Sequence, residues 1–217
     1  MSPKYPRTPH LPWSPGGTSD DRRIKSVEHF LCRPVVLTEK MDGSNVCMER
    51  DACFARSHAS TPNHPSFDAF KAMHATVRHL IPKNVQVFGE WLYAKHSIGY
   101  DQLPSYFQVF GVRDLLKNVW ASWEEVEVWA EELGVVTVPV LAKEDGLDSD
   151  WKIQELVESH ARLPSRCGKE REGVVLRVAG EFSDADFGVS IAKWVRKDHV
   201  TSSDHWAHQV ITRNGLV

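Results

Sequence analysis

Segments with the alternation or apolar density of β-strands recur along the whole chain, and the helical segments fall among them without a regular beat. No other feature restricts the fold as much. Residues 35–38 lead as a strand into Glu39-Lys40, and residues 45–56 read as a hairpin turning near Arg50-Asp51. Further strands are expected over 85–92, 106–114, 138–142, 173–178 and 189–195. Phe67, Phe70, Met73, Val77 and Leu80, at spacings of three and four, predict one amphipathic helix over 66–81, stopped by Pro82. A capping box, Ser122 with Glu125, opens a second helix that ends at Gly134. A third spans about 149–161, and Ser203 caps a short last one. Strict strand–helix alternation would build a parallel sheet, whereas this pattern predicts an α+β fold with mostly antiparallel sheet.

The first seventeen residues differ from the rest. Prolines at 3, 6, 9, 12 and 15 predict a polyproline-II-like arm ending at Gly16-Gly17, which leaves residues 18–217 as a single domain. Period three sets Lys4, Arg7, His10 and Trp13 on one ridge, a row suited to tracking a phosphate backbone and stacking on a base. The other reading is a leader that packs along the domain surface. With 26 Lys+Arg against 29 Asp+Glu the chain carries a net charge of −3, which excludes a polybasic coat but leaves room for a local basic cleft. No apolar run approaches the roughly eighteen residues of a membrane span. The N-terminus lacks a signal-peptide core, and the four cysteines have no paired spacing that would signal zinc or a disulfide framework. A reducing cytoplasm is the expected setting.

Chemistry is most concentrated at Lys40-Met41-Asp42-Gly43, where a strand ends. An amine at a strand end is held rigidly, and a glycine beside it lets the backbone approach a phosphate closely. A free lysine titrates near ~10.4, so a neutral amine at pH 7 requires a shift of about three units, roughly 4 kcal/mol. Taken singly, other residues have ordinary readings. Phe110 fits a core strand, Glu90 and Glu172 fit sheet edges, Asp42 fits a turn, and Lys193 fits a strand edge guarded by charge. His205 and His208, three apart on the last helix, read as surface residues.

Read together, these segments carry a resemblance. Thr38-Glu39-Lys40-Met41-Asp42-Gly43-Ser44-Asn45 resembles the nucleophile motif of the covalent nucleotidyltransferases, the superfamily of DNA ligases, RNA ligases and mRNA-capping enzymes. Val87-Phe88-Gly89-Glu90, Tyr106-Phe107-Gln108-Val109-Phe110, Glu172-Gly173-Val174-Val175-Leu176 and Ile191-Ala192-Lys193-Trp194 resemble its later motifs, in the family's order. Capping enzymes and DNA ligases typically place arginine five residues after the nucleophile, where this chain has Asn45. The form Glu-Lys-x-x-Gly-x-Asn is similar to the nick-sealing, type-2-like branch of RNA ligases.

The resemblance implies an ATP-grasp-like nucleotidyltransferase core of antiparallel sheets with flanking helices and a central nucleotide cleft. It implies an ATP-dependent RNA ligase that joins 5′-phosphate and 3′-hydroxyl RNA ends through a lysyl-AMP intermediate. Lys40 would attack the α-phosphorus, Glu39 and its backbone would meet the adenine edge and Phe110 would stack on the purine. Arg56 and Glu90 would hold the ribose with Asn45 nearby, and Lys193 would grip the α-phosphate. Glu90 fits a ligand of Mg²⁺ or Mn²⁺, and Glu172, a catalytic residue, would hold that metal or the nucleophile. The second lysine and the metal would lower the nucleophile's pKa and neutralise charge on the phosphate in flight.

Two positions depart from the pattern. The fifth motif usually has lysines two apart, but position 195 is valine, so Arg196 or Lys197 is left to supply the second charge. Only 24 residues follow Lys193, too few for an oligonucleotide-binding barrel, which leaves transfer to RNA to the proline-rich arm, a dimer or a partner protein. The rival readings are a capping-type or DNA-joining transferase and a non-catalytic module that binds RNA ends.

Overall fold

The computed structural model describes residues 2–17, 21–197 and 211–217; Ser203, His205 and His208 lie outside them. Two sheets face each other. The first has four strands, β1 (Val35–Lys40), β8 (Val140–Glu144), β9 (Gly173–Val178) and β11 (Ile191–Val195), in the order β11-β9-β1-β8. The second is built from β2 (Ser44–Met48), β3 (Cys53–Ala55), β4 (Val85–Trp91), β5 (Phe107–Asp114), β6 (Val119–Trp120) and β10 (Phe182–Ser183), in the order β10-β6-β5-β4-β2-β3. A short strand β7 (Val136–Thr137) joins it by pairing with β5, parallel where the other pairs are antiparallel. The fold is the expected α+β arrangement of mainly antiparallel sheets with few helices.

Strand alternation divides the core in two. On β1, Val35 and Leu37 pack with Val174 and Leu176 of β9 and with Ile153 and Val157 of helix α3 (Asp150–Ala161). On the other sheet, Val46, Met48, Val87 and Val109 pack under helices α1 (Asp68–Val77) and α2 (Trp123–Glu132), which contribute Phe70, Val126 and Ala130. Helices therefore cover the outer faces, and the inner faces are left to each other and to a cleft.

Several elements differ from the sequence reading for local reasons. The helix expected over 66–81 is α-helical only over Asp68–Val77, with tighter 3-10 turns at Pro65–Phe67 and Arg78–Leu80. His64 sets the first of these turns by accepting from the Ser66 N–H. The second helix keeps its Ser122–Glu125 capping box, and Gly134 adopts φ +64° just beyond its end. The strand expected over 138–142 starts only at Val140, as β8, and residues 136–137 just before it form β7 in the other sheet. Pro139 has no N–H for a ladder, and the chain changes sheet there while the Pro139 carbonyl accepts from Glu39 N at 2.8 Å. Residues 187–190 form a short helix, α4 (Phe187–Ser190), so β11 starts at Ile191 and not at Val189. The two-residue strands β6 and β10 are too short for any alternation to reveal.

The arm packs as the surface-leader reading expects, but more deeply. Lys193 N donates to Pro9 O and Leu11 N to Lys193 O, both at 2.8 Å, and Gly16 N donates to Val195 O. The arm thus runs along β11, and residues 22–24 line its other side through His10 N to Arg22 O and Ile24 N to His10 O. This corrects the RNA-tracking ridge: His10 is 2% exposed, Trp13 is half-buried, and only Lys4 and Arg7 of that row are exposed. Tyr5 is buried in a ring cluster, with centroids 5.0–5.2 Å from Phe88, Phe110, Trp120 and Phe187.

Candidate active site

The nucleophile motif turns out to be a crossover, not the start of a hairpin between neighbours: β1 ends at Lys40 in one sheet and β2 begins at Ser44 in the other. Its turn is tied down at each residue. The Asp42 carboxylate accepts from Ser97 N and Ile98 N, both at 2.8 Å, and Asp42 N donates to the Tyr100 hydroxyl. Gly43 N donates to Glu90 Oε1 at 3.1 Å. A Cβ at Gly43 would lie 2.7 Å from the Trp91 carbonyl oxygen, so any other residue would push the turn away from the end of β4.

Register places the charged side chains. On the four-stranded sheet Lys40 pairs with Gly173, Thr38 with Val175, and Val175 in turn with Lys193. By alternation Thr38, Lys40, Val175, Arg177, Ile191 and Lys193 share one face, and all six line a cleft of about 670 Å³. The facing sheet contributes Asn45, Glu90 and Phe110, the β3 end contributes Arg56, and the N-terminal region contributes Tyr5, Arg7, Thr8 and Asp21. Lys40, Asn45, Arg56, Glu90, Phe110 and Lys193 therefore converge on one cavity. Phe110 is half-buried, with the Tyr5 ring against it edge-on.

Lys40 Nζ donates to Glu172 Oε2 at 2.6 Å; Lys40 is 26% exposed and Glu172 5%. Burial pushes the amine down, but Glu172, Glu90 and Asp42 push it up further, so the resting lysine is held above its ordinary value. Glu90 moves most. Burial drives its carboxyl from 4.5 to about 8, against the pull of Lys40 and with the help of Glu172. Burial also lowers Lys193, and Lys40 adds to that against the pull of Asp21, whose Oδ1 lies 3.5 Å from Lys193 Nζ. His10, with Nε2 3.5 Å from Asp21 Oδ2, is pushed down to about 4 by burial and by Lys193.

Glu39 is among the residues that line the cleft, at the place the adenine-edge reading gives it, but its carboxylate lies elsewhere. Strand alternation turns its side chain to the far face of the sheet, where it is fully buried. There Oε2 accepts from Arg166 N and pairs with Arg171 at 3.2 Å, while Oε1 has no partner among the described residues. Arg196 lies off the cleft and pairs with Glu170 at the surface, 2.7 Å away. Sequence reasoning missed Arg177 and Asp21. Arg177 carries a guanidinium on the cleft wall, buried between Trp123 and Phe182 and pushed down to about 10 by that burial. Its signal was the alternation Glu-x-x-x-x-Arg along β9, which puts it on the same face as Val175. Asp21 had no signal, since only the folding of the arm brings it to Lys193.

Among the described residues no three His, Cys, Asp or Glu side chains cluster in a way that could hold a metal ion by themselves. Mg²⁺ usually takes only one or two carboxylates and completes its shell with phosphates and waters. Glu90 and Glu172, both acting on Lys40, meet that demand. Asn45 Oδ1, buried without a hydrogen-bond partner among the described residues, adds an acceptor on the cleft wall.

A model of the RNA ligase family matches residues 33–195, three-quarters of the chain and all of these motifs. The chain belongs to the RNA ligase family. Among solved structures, an RNA ligase mutant of Naegleria gruberi with ATP and Mn aligns with a TM-score of 0.59 at 18% identity, over 82% of this chain and 54% of that one. The same organism's RNA ligase with PPi aligns with a TM-score of 0.57 at 18% identity, over 90% and 61%. At such identity the likeness is one of fold, and this RNA ligase family member spans just over half the length of the chains it matches. A search of curated proteins finds no match.

Proposed function

We propose that the protein is an ATP-dependent RNA ligase that self-adenylylates on Lys40. The observation that carries this reading is the cleft itself: an amine at its wall, 2.6 Å from a carboxylate, with Lys193 and Glu90 converging on it. The Lys40 ammonium gives its proton to Glu172, which already accepts its hydrogen bond. The neutral amine attacks the α-phosphorus of ATP; the N–P bond forms and the bond to pyrophosphate breaks. Phe110 offers a face to the purine, Arg56 and Asn45 lie where they can meet the ribose, and Lys193 and Arg177 oppose charge on the α-phosphate. Glu90 would hold the divalent cation, joined by Glu172 once that carboxyl has passed its proton to solvent, and the cation when bound supplies further neutralisation of phosphate charge. A 5′-phosphate of RNA then takes AMP from Lys40 as the N–P bond breaks. A 3′-hydroxyl attacks that phosphate and AMP leaves. Asn45, in place of the arginine of capping enzymes, favours the nick-sealing branch.

The test is incubation with α-labelled ATP and Mg²⁺ or Mn²⁺, followed by denaturing electrophoresis. Label should be covalent and vanish in Lys40→Ala, and also in Lys40→Arg, whose guanidinium stays protonated. Undiminished labelling of either variant would refute the assignment.

A further inference from the structure

Beyond the cleft lies a second groove, of about 910 Å³, between the arm, residues 22–33 and the start of α4. Its firm positive charges are Arg7, Arg22, Arg23, Lys25 and Arg33, against Glu28 and Asp184. Asp184 is held by Arg113, and the Arg23 guanidinium donates to the carbonyls of Leu11, Pro12 and Ser14, so it ties the arm down and faces away from any ligand. Arg7, Arg22, Lys25 and Arg33 remain exposed, with no ion pair among the described residues. Four such cations around one groove, in a chain whose net charge is −3, are a local inversion of sign.

We infer that this groove holds the phosphodiester backbone of the RNA whose end reacts in the cleft. Arg7 joins the two sites, because it lines both the groove and the cleft. The arm forms the partition between them: Tyr5 and Thr8 face the cleft, while Pro6 and Pro9 face the groove. Pro6 and Pro9 have no N–H to offer, so recognition on that wall is left to the basic side chains. They read phosphates and not bases, as suits an enzyme that joins ends. Residues 22–24 are held to the arm by the His10 backbone, so these cations sit on a fixed edge. The inference rests on the RNA ligase reading and extends it to where the strand lies.

The experiment measures equilibrium binding of a fluorescent 5′-phosphorylated RNA oligonucleotide to the full chain without ATP, over a series of salt concentrations. It needs no catalysis, so a failure of Lys40 labelling would leave it interpretable. Arg22→Glu/Lys25→Glu should weaken binding at least tenfold at low salt. It should also lower the slope of log affinity against log salt by about 1.4, at ~0.7 per phosphate contact on a single strand. Arg162→Glu/Lys117→Glu, the same charge change on other faces, should do neither. Melting curves check that both variants fold; if the groove pair does not, Arg22→Ala/Lys25→Ala replaces it, with the same slope change expected. A groove variant that binds RNA within twofold of the parent, or no worse than the control pair, overturns the inference. So does a variant that loses anionic-vesicle binding while keeping RNA.

Discussion

Glu90 makes the protein's stability depend on pH in a direction opposite to that of most carboxylates. Its carboxyl lies at about 8 in the folded chain, against 4.5 when free, chiefly because burial penalises the charge. The folded state keeps this proton where the unfolded chain has released it. The contribution is therefore fully present below 4.5 and is lost as pH rises through about 8. At about 1.4 kcal/mol per pH unit across that window, the loss is on the order of 5 kcal/mol, or about 10–20 °C in Tm for a chain of this size. Glu90→Gln keeps an oxygen to accept from Gly43 N and removes the titration. His10, His29 and His58, all pushed down chiefly by burial, tilt both curves the other way, so the difference between parent and variant isolates Glu90. Thermal melts of both proteins in divalent-free buffer from pH 5 to 8.5 measure it. The parent should lose stability relative to Glu90→Gln by several kcal/mol over that range, and Mn²⁺ should restore part of it at the alkaline end. Parallel curves would refute the buried, protonated carboxyl.

Arg171→Met strands the Glu39 carboxylate in the core and should cost about 3–5 kcal/mol in chemical denaturation, with much of that recovered in Glu39→Met/Arg171→Met. Asp21→Ala removes the carboxylate that now pairs with Lys193, so the KM for ATP in self-labelling should fall severalfold; an unchanged KM would mean the pair does not compete with phosphate. Deleting residues 1–17 should abolish Lys40 labelling together with RNA sealing and lower Tm, since Tyr5 and Leu11 leave the core; retained labelling would show that the cleft forms without the arm.

The elements and charges that were legible in the sequence are those whose signal is local. Ser122 and Glu125 announce a cap because the capping bonds span three residues, and β1, β4, β5 and β9 announce themselves because β-branched and apolar residues are dense over six or more positions. Lys40, Glu90 and Lys193 stand out through their motifs, and register then brings them to one cleft. What escaped was decided by tertiary contacts. Pro139 stands between two strands that join different sheets, and the Glu39 carboxylate turns from the cleft because Lys40 faces into it and neighbours on a strand take opposite faces. Asp21 reaches Lys193 only through a hydrogen-bonded arm.

The prolines themselves explain why that arm becomes part of the site. A polyproline-II segment has no internal hydrogen bonds, so all its backbone groups are available to a neighbour. The prolines lack donors, so Leu11 N and Gly16 N donate to Lys193 O and Val195 O while the Pro9 carbonyl accepts from Lys193 N; within the arm one turn closes, from Ser14 N to Leu11 O. Both backbone polar groups of Lys193 are therefore held by the arm, on the side of β11 away from β9. Its amine is fixed over the cleft by a chain segment that also carries Tyr5 into the ring cluster with Phe110 and leaves Arg7 at the rim. One extended segment thus orients the proposed phosphate grip, backs the proposed purine platform and borders the basic groove, so a change in the arm is felt at all three.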